Sequence, residues 1–486
     1  MVGKPMPSAA TSPVEGTRSA IWPLLIVGLG TLVVPLDSAV NIDFAAIVTR
    51  FALPIPMIQW IVISYVLTQT SLMLTFGRIG DLLGYRRVFL FGTAISTIAF
   101  TACALAPTYP ALLVGRVVQG IGAGLILSCG PALATSLFPE AMRTQVLARY
   151  MMMFAIGGAL GPSVFGLLVQ HFGWSAVFSF RAPVAAVAFA LAWTLPRPVR
   201  GAREPFDAAG GVLLAAAMSF MLLALNRLRP PGPETAAFAV LAVAGFVLFY
   251  KQERRTAKPI IDFSPFKEPD FAVINLSNVL INLSAFSIML LAPFYLSRIP
   301  GLSLPAAGLV LASSPLGIVI AAPMAGRLAR GHKPRLIAVI GTALSSAGLF
   351  GISLSGDTPD IPILVLSMGV QGIGIGLFQV AYFDIVTAAI PVQNRGVAGA
   401  LGMATRTIGT VTGATVLMLV FQSLRTPEPE GFMLAFKATF QFAAAIPAAL
   451  VFFDLRRGGR RKRPALPRID STVDQIGASP SSADEK

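Results

Sequence analysis

The chain has 486 residues, of which 55% are hydrophobic and only 12% charged, with a formal net charge of +15. A mean hydropathy of +0.75 excludes an ordinary soluble domain, which could not hide that much apolar surface. The positive charge does not indicate nucleic acid, because the basic residues fall between apolar runs rather than on one soluble face.

Residues Met1 to Ala20 are rich in Pro, Ser, Thr and Gly without an apolar period, and read as a tail. The run from Ile21 to Ile42 is longer than a signal-peptide core and lacks a small-residue cleavage site, so it should stay as the first helix. Spanning the hydrocarbon takes about 20 apolar residues. Further spans are expected at 57–77, 88–106, 110–133, 147–169 and 176–195. A basic, proline-marked segment then leads into a hairpin of two shorter spans, 208–226 and 235–250. Six more are expected at 272–293, 305–325, 336–354, 361–383, 397–421 and 432–453. This is an all-α polytopic membrane protein with about fourteen transmembrane helices. Its expected parts are a tail (1–20), a six-helix bundle (21–195), a linker with the hairpin (196–270), a second six-helix bundle (271–455) and a basic disordered tail (456–486).

Short cytoplasmic loops retain Lys and Arg. With both termini inside, the outer loops hold only Arg50, Arg227, Arg229, Arg298 and Arg425. An even helix count with cytoplasmic termini follows. Cys103 and Cys129 lie in separate apolar stretches and read as small packing residues, with no disulfide framework and no metal spacing. His171 and His332 fall outside the spans and are expected to face water.

The chain repeats itself. Val118-Gln119-Gly120-Ile121-Gly122-Ala123-Gly124-Leu125 returns as Val370-Gln371-Gly372-Ile373-Gly374-Ile375-Gly376-Leu377, an offset of 252. The same offset carries Pro139 to Pro391, Arg143 to Arg395, Ala148 to Ala400, Gly157 to Gly409 and Gly161 to Gly413. A matching echo at an offset of 249 relates Gly77-Arg78-Ile79 to Gly326-Arg327-Leu328. Two parallel six-helix repeats are the plan of secondary transporters that rock around a midplane site. No Gly-rich loop ending in Gly-Lys-Ser or Gly-Lys-Thr exists to bind ATP, which leaves an ion gradient as the energy source.

Several short motifs narrow this further. Gly77-Arg78-Ile79-Gly80-Asp81-Leu82-Leu83-Gly84-Tyr85-Arg86-Arg87 follows the second span. Its glycines permit a tight turn, and Asp81 among Arg78, Arg86 and Arg87 is placed to form a charge lock; a plain basic loop is the alternative. Arg116-Val117-Val118-Gln119-Gly120 puts an arginine about 9 Å below one membrane face at the helical rise, and Asp37, in Leu36-Asp37-Ser38-Ala39-Val40-Asn41, lies at a similar depth. The pair is either a proton-exchange site, since burial and a neighbouring arginine pull the acid in opposite directions, or a purely structural ion pair. Gly157-Gly158-Ala159-Leu160-Gly161-Pro162-Ser163-Val164-Phe165-Gly166 reads either as simple close helix packing or as a bending element at Pro162. Phe206-Asp207-Ala208-Ala209-Gly210 and Ala224-Leu225-Asn226 bracket the first helix of the hairpin.

Together these motifs resemble the major facilitator superfamily, and specifically its fourteen-helix drug:proton antiporter branch, over roughly residues 21–453. The resemblance implies that Asp37 and Arg116 couple transport to protons, and that Gly77, Arg78, Asp81, Gly84, Arg86 and Arg87 form a conformational gate loop. It further implies that Gly157, Gly161, Pro162 and Gly166 carry the antiporter motif, although Phe165 departs from the family's paired glycines. Arg330 stands where the second-half loop usually has an acid. Arg181 replaces a common amide, and its role is open. Arg406 matches a common branch position near mid-membrane and is suited to an anionic group. Asp384 either aids coupling or faces water, while Asp43 and Lys437 are expected to be solvated.

The expected activity is export of lipophilic or amphipathic molecules in exchange for protons by a monomer in the inner (plasma) membrane, without cofactor or metal. A lipid exporter and an organic-anion uptake carrier are rival readings, the latter because of Arg116, Arg181 and Arg406. A membrane enzyme or a channel is more remote, since the sequence carries no acid pair, nucleophile elbow, dinucleotide fingerprint or filter motif.

Overall fold

A computed structural model of the chain describes residues 17–41, 44–53, 55–196, 206–227, 232–256, 259–261, 263–296, 298–302, 304–329, 333–356, 360–391, 394–425 and 429–458. Helix accounts for most of them, as expected where the backbone must satisfy its own polar groups in lipid. The first part of the chain forms α1 (Thr17–Leu32), α2 (Phe44–Phe51), α3 (Gln59–Leu83), α4 (Tyr85–Ala104), α5 (Tyr109–Ser136), α6 (Arg143–Phe172), α7 (Ala176–Ser179) and α8 (Arg181–Ala192). The hairpin is α9 (Ala208–Asn226) and α10 (Pro233–Glu253). The rest forms α11 (Pro269–Leu296), α12 (Leu304–Leu328), α13 (Pro334–Ser353), α14 (Ile361–Ala389), α15 (Arg395–Leu424) and α16 (Pro429–Gly458). Eleven described helices are long and apolar enough to cross a membrane, and Trp22–Ser38 and Ala176–Ala192 are shorter apolar stretches.

Two expected helices are broken. The first, expected to run unbroken over 21–42, ends as α-helix at Leu32 and continues as a 3-10 segment, Pro35–Asn41. Pro35 has no N–H to give the Thr31 carbonyl; the Val34 N–H donates to it instead, at 3.2 Å. The sixth, expected over 176–195, is interrupted at Phe180 between α7 and α8, because the ring of Pro183 clashes with the carbonyl four residues back, that of Ser179. A third difference concerns the segment after the second span. α3 continues through Gly77 and Asp81 to Leu83, so only Gly84, with φ of +92°, turns the chain. Gly77 is helical and serves a close approach instead: a Cβ there would sit 2.7 Å from the Ala400 side chain.

Helices α1 and α3–α8 pack among themselves, as do α11–α16, while α9 leans on α3 and α15. The repeat is visible in side-chain detail. Gly120 of α5 lets the Tyr65 carbonyl of α3 approach, and its counterpart Gly372 of α14 lets the Ser314 carbonyl of α12 do the same. Likewise Gly122 seats Ser96 and Gly374 seats Ser345. Across the two groups, α6 lies on α12 and α14, and α15 lies on α3 and α5.

Candidate functional site

The break after Leu32 turns Asp37 inward, and the break at Phe180 brings Arg181 to it. Arg116 grips the Asp37 carboxylate with two parallel hydrogen bonds, of 2.6 and 2.8 Å. Gln119 donates to the same carboxylate at 2.8 Å and accepts from Arg116 at 2.7 Å. Arg181 adds a donation of 2.9 Å. Both guanidiniums are wholly buried, whereas the Asp37 side chain keeps 13% exposure. Among their other donors, Arg116 reaches the Ile61 carbonyl at 2.9 Å and Arg181 the Val33 carbonyl at 3.3 Å, whereas Arg181 Nε is buried without a hydrogen-bond partner among the described residues. Arg116 also lies over the Tyr65 ring at 4.5 Å and Arg181 over the Phe100 ring at 4.3 Å, which offsets part of the cost of burying two cations.

The sequence pairing of Asp37 with Arg116 is thus met geometrically, and Arg181 acquires a partner. Gln119 was not singled out as a site residue; its spacing of three from Arg116 on one helical face was the available signal. The cluster carries one carboxylate against two guanidiniums. Oδ1 of Asp37 accepts three of the four hydrogen bonds and Oδ2 one, so protonation of Asp37 competes with the guanidiniums that hold it.

A second set of polar contacts joins the two helix groups at the Asp81 end of the bundle. Asp81, expected in a charge lock with Arg78, Arg86 and Arg87, takes its hydrogen bonds elsewhere. Asp81 reaches across to the first turn of α15, accepting from the Gly396 N–H at 2.7 Å and the Val397 N–H at 3.3 Å, and from the Tyr85 hydroxyl at 2.8 Å. An anion at a helix N-terminus meets unsatisfied N–H groups and the positive end of the dipole, which a neighbouring arginine does not offer. Arg78 donates to Asn394 at 3.0 Å, Arg86 donates to the Trp193 carbonyl, and Arg87 is exposed.

The repeat-related arginines Arg143 and Arg395 each cross to the opposite group. Arg143 bonds Asp384 at 2.7 Å and also Glu140, and Arg395 bonds Glu140 at 2.9 Å. Asp384, left open between coupling and water by its sequence, is 3% exposed and paired, so it does not face water. Partial burial would raise the Glu140 carboxyl, but the Arg395 hydrogen bond and the two guanidiniums outweigh it and hold it below the usual carboxylate value.

Gly157 abuts the broken first helix; a Cβ there would lie 2.7 Å from the Pro35 ring. Gly158 meets nothing within 4 Å, and α6 stays helical through Gly161, Pro162 and Gly166. Arg406 does not meet a carboxylate among the described residues; it stacks on Phe154 of α6, with 4.3 Å to the ring centroid. Cys103 and Cys129 are buried packing residues, His171 is exposed and Lys437 half-buried. Asp43, Arg330 and His332 lie outside the described residues.

The family profile described as Major Facilitator Superfamily matches residues 24–266 and 274–479. Among curated relatives, the riboflavin transporter RibZ of Clostridioides difficile (strain 630) is 28% identical over 405 residues, covering 82% of this chain and 88% of that protein. The tetracenomycin C resistance and export protein of Streptomyces glaucescens is 29% identical over 421 residues, covering 85% and 78%. The multidrug efflux pump LfrA of Mycolicibacterium smegmatis is 28% identical over 424 residues, covering 84% and 83%. The human organic anion transporter MFSD10 (TETRAN) superposes with a TM-score of 0.64 at 14% identity, covering 91% of this chain and 99% of that one. The proton:xylose symporter XylE gives 0.63 at 14% identity, covering 90% and 96%. Both show the same fold.

Proposed function

This chain belongs to the Major Facilitator Superfamily, and from that membership we propose that it expels lipophilic or amphipathic small molecules in exchange for protons. It is a membrane transporter and not an enzyme. In this proposal α6, α1 with its 3-10 extension, and α7 with α8 join the eleven long apolar helices to make fourteen crossings. Residues 21–195 and 271–455 are the rocking bundles, 196–270 is the insert, and the Asp81 end, with both termini, is cytoplasmic. The excess of Lys and Arg on that side supports the orientation. Export is supported by the resistance and efflux proteins among the relatives.

The observation that carries the coupling is the buried cluster of Asp37, Arg116, Arg181 and Gln119. Lipid tolerates an ionisable group at such a place only when it is partnered, and it then marks ion pathways. On the proposed cycle, the contacts at the Asp81 end hold the cytoplasmic side shut, and movement of α5 or α8 against the Pro35–Asn41 segment withdraws a guanidinium so that Asp37 takes up a proton. The riboflavin transporter among the relatives favours a second reading, carriage of one organic metabolite rather than of many drugs.

The test uses proteoliposomes with an imposed pH gradient, a panel of drugs and organic acids side by side, and Asp37→Asn. Gradient-driven movement of at least one compound is expected, lost in Asp37→Asn while binding persists. Native-rate exchange with an unchanged proton requirement in Asp37→Asn would make Asp37 structural and sink the coupling role.

A further inference from the structure

The residue 252 positions before Arg406 is Phe154, so the two occupy equivalent places in the repeats. They are also in contact, with the guanidinium carbon 4.3 Å from the ring centroid. Equivalent positions of two parallel repeats can touch only near the axis that relates them. Depth follows from the helical rise: Arg406 is the eleventh residue after Arg395 at the start of α15, about 16 Å along the helix and so near the middle of a hydrocarbon layer of about 30 Å. Arg406 therefore marks the centre of the molecule, between the bundles and at mid-depth, where a rocking transporter holds its substrate.

The charge at that centre is unbalanced. Within the described spans, the carboxylates that are not exposed are already engaged: Asp37 by Arg116 and Arg181, Asp81 by the first turn of α15, Asp384 by Arg143, Glu253 by the Ile261 N–H, and Asp454 by Arg335. Among the described residues no acceptor engages the Arg406 guanidinium, and it is neither sealed nor fully exposed. Phe154 gives the guanidinium a cation–π contact, which uses no hydrogen bond and leaves the N–H donors for something else. The Asp37 cluster, with two cations against one anion, adds positive charge rather than compensating it.

Resting on the transporter reading above, we propose that Arg406 is the recognition cation of the central site, and that the transported molecule is a planar or aromatic organic anion or zwitterion. Its acidic group pairs with the Arg406 fork, and its ring lies beside Phe154. The same unbalanced charge rejects lipophilic cations, which find no available carboxylate at the centre.

The test compares two dyes that share a xanthene ring and differ in charge, anionic fluorescein and cationic rhodamine 123, binding to the purified full-length protein in detergent by fluorescence anisotropy. Fluorescein is expected to bind at least tenfold more tightly than rhodamine 123. Arg406→Gln should lose tenfold or more in fluorescein affinity without weakening rhodamine 123, and Arg406→Lys, which keeps the charge but not the fork, should recover only part of that loss. Rhodamine 123 binding the tighter of the two, an absence of fluorescein binding, or fluorescein affinity unchanged in folded Arg406→Gln overturns the proposal. If Arg406→Gln does not fold, the dye preference of the wild type decides. Binding needs no pH gradient, so selective fluorescein binding without proton-driven transport would sink proton exchange and leave this assignment standing. Proton-driven export of rhodamine 123 without fluorescein binding would do the reverse.

Discussion

Replacing Asp81 by Ala should open the Asp81 end of the bundle without unfolding either helix group. Of the three hydrogen bonds that Asp81 accepts, the one from Tyr85 joins neighbours on the same side and persists in both conformations, so it drops out of the difference. The two from α15 exist only in the closed state. The bond from Gly396 is short, at 2.7 Å, and charge-assisted, whereas that from Val397, at 3.3 Å, is weak. Hydrogen bonds to charged groups contribute about 1.5–3 kcal/mol, and the helix dipole adds a fraction of a kcal/mol. A loss of about 2 kcal/mol then shifts the closed-to-open ratio roughly 30-fold. Spin labels at Leu83 and Ala389, both exposed at that end of α3 and α14, report it by double electron–electron resonance. The variant should move population from the short to the long distance, with its thermal midpoint unchanged. Identical distance distributions in wild type and Asp81→Ala would refute the reasoning.

Gly77→Val should open the same end, because its new side chain meets Ala400 and Gly396 of the opposite group; the same spin pair reads it. Gly120→Val instead meets the Tyr65 carbonyl and Thr68 within its own group at 2.8 Å, and should lower the thermal midpoint by an overpacking cost of about 1–3 kcal/mol. Asp384→Asn leaves Arg143 without its buried charge partner and should favour opening; exchanging the two residues, Arg143→Asp with Asp384→Arg, should restore part of the closed population, and a double-mutant cycle measures the coupling. Because Arg395 and Arg143 hold Glu140 below the usual carboxylate value, its bridge acts in full above that range and is lost as pH falls through the lowered value. The difference in closed population between wild type and Glu140→Gln should be constant above the ordinary Glu value of about 4.3 and shrink as pH falls below it.

Much of the architecture is legible in residue order because the solvent enforces it. A run of apolar residues in lipid has hardly any choice but helix, so most spans fall within a few residues of their expected places. The glycines that recur at an offset of 252 seat equivalent neighbours in both groups, as Gly120 and Gly372 do, since a close helix crossing requires a missing side chain. The pairing of Asp37 with Arg116 was readable from depth alone. What residue order does not carry is direction around the helix axis and contact between distant segments. The prolines at 35 and 183 mark local breaks, but nothing local says that those breaks bring Arg181 onto Asp37, or that Asp81 takes its backbone hydrogen bonds from N–H groups 315 residues away. Nor does it say that Arg406 lands on its own repeat partner. The first outcome depends on how helices pack within one bundle and the other two on how two bundles dock, which tertiary packing alone decides, whereas hydrophobicity and spacing had already determined that there would be helices to dock.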